Sequence, residues 1–151
     1  MTNPTDLEKR TLTIKRTFNA PRQLVWDAWT QAEHIAQWWG PPGMNTKVIK
    51  HDFQVGGEWE YVMTMPDGSD FISHGIYSKI EAPTLLETSA DFKPMTEGVT
   101  LQVILEEEDG KTNFTFNVIH PTEAYAKQQF DMGFMNGWGS TFDRLAQFLA
   151  A

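Results

Sequence analysis

The sequence predicts an α+β domain in which a curved, seven-stranded antiparallel sheet wraps around a long C-terminal helix, with two short helices after the first strand. Three observations carry this. Segments of strand character separated by turns rich in Gly, Pro and Asp recur six times between residues 46 and 120, after a first such segment at 11–18. Residues 122–151 repeat instead with helical period, so that Phe130, Phe134, Trp138, Phe142, Leu145, Phe148 and Leu149 form one apolar stripe opposite Gln129, Asn136, Ser140, Asp143 and Gln147. Strands joined by tight turns are antiparallel neighbours, and their apolar face needs a cover. Only the C-terminal helix, roughly 40 Å long at 1.5 Å per residue, is long enough to supply it.

Taken in order, residues 1–10 are polar, lack a period and contain Asn3-Pro4, so a flexible tail is expected there and the domain proper over 11–151. Leu12, Ile14 and Phe18 alternate with Thr11, Thr13, Lys15 and Thr17 in the first strand. Pro21 then suits the start of a helix whose buried side is Leu24, Val25, Ala28 and Trp29. A second helix over 32–39 is ended by Gly40-Pro41-Pro42-Gly43. Further strands follow at 46–53, 58–65, 70–80, 85–92, 99–106 and 112–120. Trp59, Tyr61, Met63 and Met65 share one face of the third strand, and Ile72, His74, Ile76 and Ile80 are expected to share the inward face of the fourth. Leu101, Val103 and Leu105, then Phe114, Phe116 and Val118, turn inward later, on either side of a hairpin turn at Glu108-Asp109-Gly110-Lys111. Thr122 occupies the N-cap position of the last helix.

Composition narrows the function. A chain of 151 residues with 40% hydrophobic content can bury one substantial core, and a formal net charge of -8 argues against binding nucleic acid. There is no cysteine, hence no disulfide, thiolate nucleophile or zinc–cysteine site. His34, His51, His74 and His120 show no metal-ligand spacing, so no metal or other cofactor is expected. No segment is apolar enough for membrane insertion, and a polar N-terminus without a signal-like run points to a cytoplasmic protein. The sequon Asn113-Phe114-Thr115 is then a chance match.

A curved sheet closed by a helix often leaves a cavity between the two. Gly133, Gly137 and Gly139 sharpen that expectation, since each costs a helix interior about 1 kcal/mol relative to Ala. Close approach of another backbone, or room for a ligand, would compensate. The side chains expected to line the cavity are Trp38, Trp59, Tyr61, Met63, His74, Ile76, Phe130, Phe134 and Trp138. His74 is either a satisfied core histidine or a polar anchor in that cavity. Glu58 and Glu60 lie on the polar face of their strand and read as solvated charges. Asp131 falls within the apolar stripe, as it would if the first turns of the helix overhang solvent.

Residues 16–30 (RTFNAPRQLVWDAWT), followed by Glu33-His34 and Trp38-Trp39-Gly40-Pro41, resemble the opening signature of the activator-of-heat-shock-protein-90-ATPase-like family. Further matches are Gly56-Gly57-Glu58-Trp59, Pro66-Asp67-Gly68, His74-Gly75-Ile76-Tyr77, Ile80-Glu81-Ala82-Pro83, and Gly137-Trp138 ahead of Leu145, so that the resemblance covers residues 11–150. It implies the helix-grip fold of the START-like (SRPBCC) superfamily, whose members enclose an apolar cavity between sheet and C-terminal helix. Those members include lipid and hormone carriers, polyketide cyclases and a chaperone-binding domain. The expectation is a small soluble binding protein for an apolar or aromatic small molecule or lipid. A heat-shock-protein-90-like chaperone partner and a cavity enzyme such as a cyclase or hydrolase are the alternatives. No nucleophile–base motif favours the enzyme, and the additional N-terminal domain of the co-chaperone is lacking.

Overall fold

A computed structural model describes residues 6–40, 45–93 and 96–150. The strands are β1 (Thr11–Phe18), β2 (Asn45–His51), β3 (Glu58–Thr64), β4 (Asp70–Glu81), β5 (Leu85–Lys93), β6 (Thr96–Glu108) and β7 (Lys111–Ile119). The helices are α1 (Asp6–Lys9), α2 (Arg22–Thr30), α3 (Ala32–Trp38), α4 (Glu123–Asp131) and α5 (Phe134–Ala150). All seven strands form one antiparallel sheet in the order β1-β7-β6-β5-β4-β3-β2. Consecutive strands pair except at one place: β1 lies against β7, so α2 and α3 carry the chain from one edge of the sheet to the other. Register shifts in the β2–β3, β4–β5 and β5–β6 pairings mark β-bulges, which bend strands and increase twist, and so help the sheet curl.

The inner face of the sheet meets α5 and α2 in a core of stacked and edge-on rings. Trp29 of α2 is its hub, within 4.7 to 6.2 Å, centroid to centroid, of Trp38, Trp39, Phe114, Phe116 and Phe142. Such pairs add about 0.5–1.5 kcal/mol each beyond the area they bury. Leu101, Val103 and Leu105 of β6 and Phe114, Phe116 and Val118 of β7 are buried, as their alternation predicts.

Asp6–Lys9 form one helical turn, and Arg10 is tied to His120 in both directions: the His120 backbone N–H donates to the Arg10 carbonyl at 2.8 Å and the Arg10 guanidinium to the His120 carbonyl at 2.9 Å. Residues 1–5 and 41–44, the latter including Pro41-Pro42-Gly43 of the expected loop, lie outside the described residues. Three expectations need correction. On α2, Leu24 is half-exposed and Trp26 is buried in its place, because Phe53 offers the Trp26 ring an edge-on partner.

On β4 the expected faces are reversed from Ile72 to Ile76, while Ile80, beyond the register shift between Tyr77 and Lys79, packs against the core as expected. Pairing with β3 sets Ser73 opposite Tyr61 and Gly75 opposite Trp59, so Ser73, Gly75 and Tyr77 point inward while Ile72, His74 and Ile76 point out. The large rings of β3 leave their β4 neighbours little room. A Cβ on Gly75 would lie 2.9 Å from the Trp59 ring and collide with the Ser89 carbonyl. Small residues therefore hold the two inner positions opposite Tyr61 and Trp59, and Ile72 and Ile76 turn outward.

The last correction concerns the C-terminal helix, which is two helices. Thr122 caps the first as expected, its hydroxyl accepting from the Tyr125 N–H at 3.0 Å. The helix then stops at Met132-Gly133, where Gly133 takes φ +103°, a conformation that L side chains rarely adopt. Asp131, just before the break, is exposed to solvent.

Candidate functional site

The break between α4 and α5 stands over one end of the sheet, and beneath it the layers part. Around the start of α5 lies a cavity of about 290 Å³. Met63, Phe71, Phe92 and Val118 of the sheet form its floor, Trp39 and Gly40 one wall, and Phe134, Gly137, Trp138 and Thr141 its roof. Gln129, Met132 and Gly133, from the end of α4 and the break, border it, as do Met65 and His120. No atom lies within 4 Å of the position a Cβ would occupy on Gly137. The glycine thus faces open space at the rim of the cavity. Gly139, two residues on, faces the other way: its added Cβ would lie 3.4 Å from the guanidinium of Arg16, which bonds to the Gly139 carbonyl at 3.2 Å and to Asp143 at 2.7 Å.

Chemically the cavity is apolar with a few polar points. Among the described residues no Lys, Arg, Asp or Glu lines it. Thr141 is buried, and its hydroxyl donates to the Gly137 carbonyl at 3.3 Å. His120 is 1% exposed, and its Nδ1 lies 3.1 Å from the Arg10 carbonyl. A carbonyl oxygen can only accept, so Nδ1 carries the proton and Nε2 is left a bare acceptor. That Nε2 is buried and has no partner among the described residues. Burial lowers the His120 pKa against the opposing pull of the Arg10 and Val118 carbonyls, so the neutral ring is the resident form near pH 7.

Of the side chains expected to line the cavity, Met63, Phe134 and Trp138 do so. Trp59 and Tyr61 are buried one layer deeper and border a separate gap of about 20 Å³. There the Trp59 indole N–H donates to Thr88 Oγ1 at 2.7 Å. The Tyr61 hydroxyl lies 3.1 Å from His51 Nδ1, and His51 Nε2 lies 2.6 Å from the Thr30 carbonyl, which makes Nε2 the donor and Nδ1 the acceptor of the Tyr61 O–H. Burial raises both phenols of this layer, Tyr77 to about 12 and Tyr61 further, so they remain protonated. Trp38 belongs to the core, fully buried, with its indole N–H on the Ala28 carbonyl at 2.8 Å. Phe130 is 53% exposed on α4.

His74 and Ile76 are on the outer face of the sheet, with His74 Nε2 3.5 Å from Asp91 Oδ2. His120 is the site residue that the sequence reading passed over, although the alternation of Phe114, Phe116 and Val118 runs on to it in phase. Trp39 and Phe92, both buried cavity walls, carried no distinguishing signal. Among the described residues no group of three or more His, Cys, Asp or Glu is placed to hold a metal ion, and no helix is long and apolar enough to cross a membrane.

A family model described as "Activator of Hsp90 ATPase homolog 1-like protein" matches residues 19–150. No curated protein matches the chain. Among solved structures, protein Ms6760 from Mycobacterium smegmatis is 27% identical with a TM-score of 0.84, over 96% of this chain and 94% of that one. A protein from Arthrobacter aurescens is likewise 27% identical, with a TM-score of 0.86 over 97% and 89% of the two chains. Protein NE0264 from Nitrosomonas europaea is 27% identical with a TM-score of 0.82, over 94% and 95%.

Proposed function

Because the chain belongs to the activator of Hsp90 ATPase homolog 1-like family and has its helix-grip fold, we propose that it is a binding protein that holds an apolar or aromatic small molecule between the sheet and the start of α5. The observation that carries this is the cavity of about 290 Å³ whose walls are rings and methionines and whose rim is left open at Gly137. A helix loses about 1 kcal/mol by placing Gly rather than Ala at an interior position, and no close-packed neighbour of Gly137 accounts for that loss. Catalysis is the weaker alternative: His120 is the one titratable side chain on the cavity wall among the described residues, and the hydroxyl of Thr141 on that wall is hydrogen-bonded to the Gly137 carbonyl rather than to His120.

The test is Gly137→Leu, assayed with the neutral fluorescent probe N-phenyl-1-naphthylamine. Leu is the better helix former, and there is room for it, so the folded state should keep its stability within about 1 kcal/mol. Probe binding should fall at least about tenfold as the side chain fills the rim. A stable Gly137→Leu protein that binds the probe like the parent would defeat the cavity as the binding site.

A further inference from the structure

Resting on that assignment of the cavity, we propose that its ligand is a neutral, compact ring compound bearing a hydroxyl, and that this O–H donates a hydrogen bond to His120 Nε2. Four features of the cavity converge on this class. Among the described residues its lining carries no charged side chain, and an ionised ligand buried there would lose its hydration with no counter-charge from them in return. Its volume of about 290 Å³ stands at the lower end of the range of ligand sites, roughly 300–1,000 Å³, which suits one or two fused rings better than a long acyl chain. Trp39, Phe71, Phe92, Phe134 and Trp138 offer flat faces and edges for a ring to pack against.

The fourth feature fixes the polar end. A buried acceptor without a donor costs free energy that a ligand hydroxyl recovers, and a site built this way discriminates against the analogue that lacks the hydroxyl. His120 is held for the purpose. Its ring proton is committed to the Arg10 carbonyl through Nδ1, which leaves Nε2 as the free acceptor, while the Arg10 guanidinium and carbonyl also hold the His120 backbone. Thr141, the other buried polar side chain on the wall, already donates its hydroxyl proton to Gly137. Thr141 Oγ1 can still accept, but His120 Nε2 is the buried acceptor with no partner among the described residues, so a ligand hydroxyl gains most by donating there.

The experiment compares naphthalene, 2-naphthol and 2-naphthoate, titrated into the parent and into His120→Asn with tryptophan fluorescence as readout. Asn keeps an N–H for the Arg10 carbonyl and, being shorter, has no acceptor at the position of Nε2. His120→Phe, which keeps a ring of similar volume, serves if the Asn variant does not fold. In the parent, 2-naphthol should bind about tenfold tighter than naphthalene, although hydrophobic transfer alone favours naphthalene, and 2-naphthoate should bind weakest. In the variant the ratio of 2-naphthol to naphthalene affinity should fall by about tenfold, to one or below. The 15N resonance of His120 Nε2 should move with 2-naphthol and not with naphthalene. Equal affinities for naphthalene and 2-naphthol in the parent, a preference for naphthoate, or a naphthol advantage that survives in the variant would each overturn the role of His120 and leave the cavity site standing. If none of the three binds, the cavity assignment falls, and this inference with it.

Discussion

Along α5, the residues from Phe142 onward and those before Thr141 face one continuous sheet and meet it differently. Phe142 and Leu145 are completely buried, and the Phe142 ring contacts Trp29, Phe114, Phe116 and Trp138 at centroid distances of 4.9 to 6.2 Å. One turn earlier Trp138 is only partly buried, Gly137 projects nothing, and the cavity opens. Both halves are helical and both carry aromatic residues. What separates them is side-chain volume at the positions between the rings, together with the backbone break that lets the chain enter α5 at an angle of its own. Close packing is a local achievement, and one glycine on the inward stripe, next to the backbone break, is enough to withhold it.

That contrast can be tested most strongly at its packed end. Phe142→Ala should cost about 3–5 kcal/mol in urea unfolding, the range for a large aromatic with no exposure. Trp138→Ala should cost less, about 2 kcal/mol, because part of the ring already borders empty space. Equal losses would erase the distinction between the two halves. Next comes the break itself: Gly133→Ala forces a Cβ onto a backbone at φ +103° and should destabilise by about 1 kcal/mol or more, although no atom obstructs the new methyl. A neutral result would show that the break can close into a continuous helix.

A subtler difference lies in pH. Burial holds the folded pKa of His120 below its unfolded value, so the unfolded chain takes up a proton that the folded one refuses. The resulting stability is complete above the unfolded pKa of about 6.5 and is lost as pH falls through it towards the lower folded value. His120→Asn should therefore lose less stability than the parent between about pH 7.5 and about pH 5, measured by unfolding midpoints. The same slope in both would remove His120 from the buried set. The smallest effect belongs to the exposed face of the packed half: Gln147→Ala should leave stability within about 0.5 kcal/mol and ligand binding unchanged.

Most of the architecture was legible because strand period, turn chemistry and N-cap chemistry are local. Alternation placed Phe114, Phe116 and Val118 inward without knowledge of any partner strand, and Thr122 announced its helix. The failures are cross-chain effects. Ile72 and Ile76 outrank Ser73 and Gly75 on any hydrophobicity scale, yet the size of Trp59 and Tyr61 across the pairing decided which face of β4 could go inside. Helical period likewise runs unbroken through Met132-Gly133, since a positive φ at one residue barely disturbs the pattern of those around it. The candidate cavity was visible through its aromatics and glycines, whereas the proton placement on His120 at its wall depends on Arg10, 110 residues away in the chain.

The pairing of β1 with β7 also orders events during synthesis. Strands β2 to β6 can each pair with a neighbour made a moment before or after, but Thr11 must wait for Ile119 and Phe18 for Thr112. Until then Ile14 and Phe18, both buried in the finished sheet, have no sheet edge to join. Contacts of such separation are slow to form, and unpaired apolar strands are prone to associate with one another. The nascent chain therefore passes through a stage in which its oldest strand is unpartnered while a five-stranded meander is already complete behind it, and the first strand to leave the ribosome is among the last to be placed.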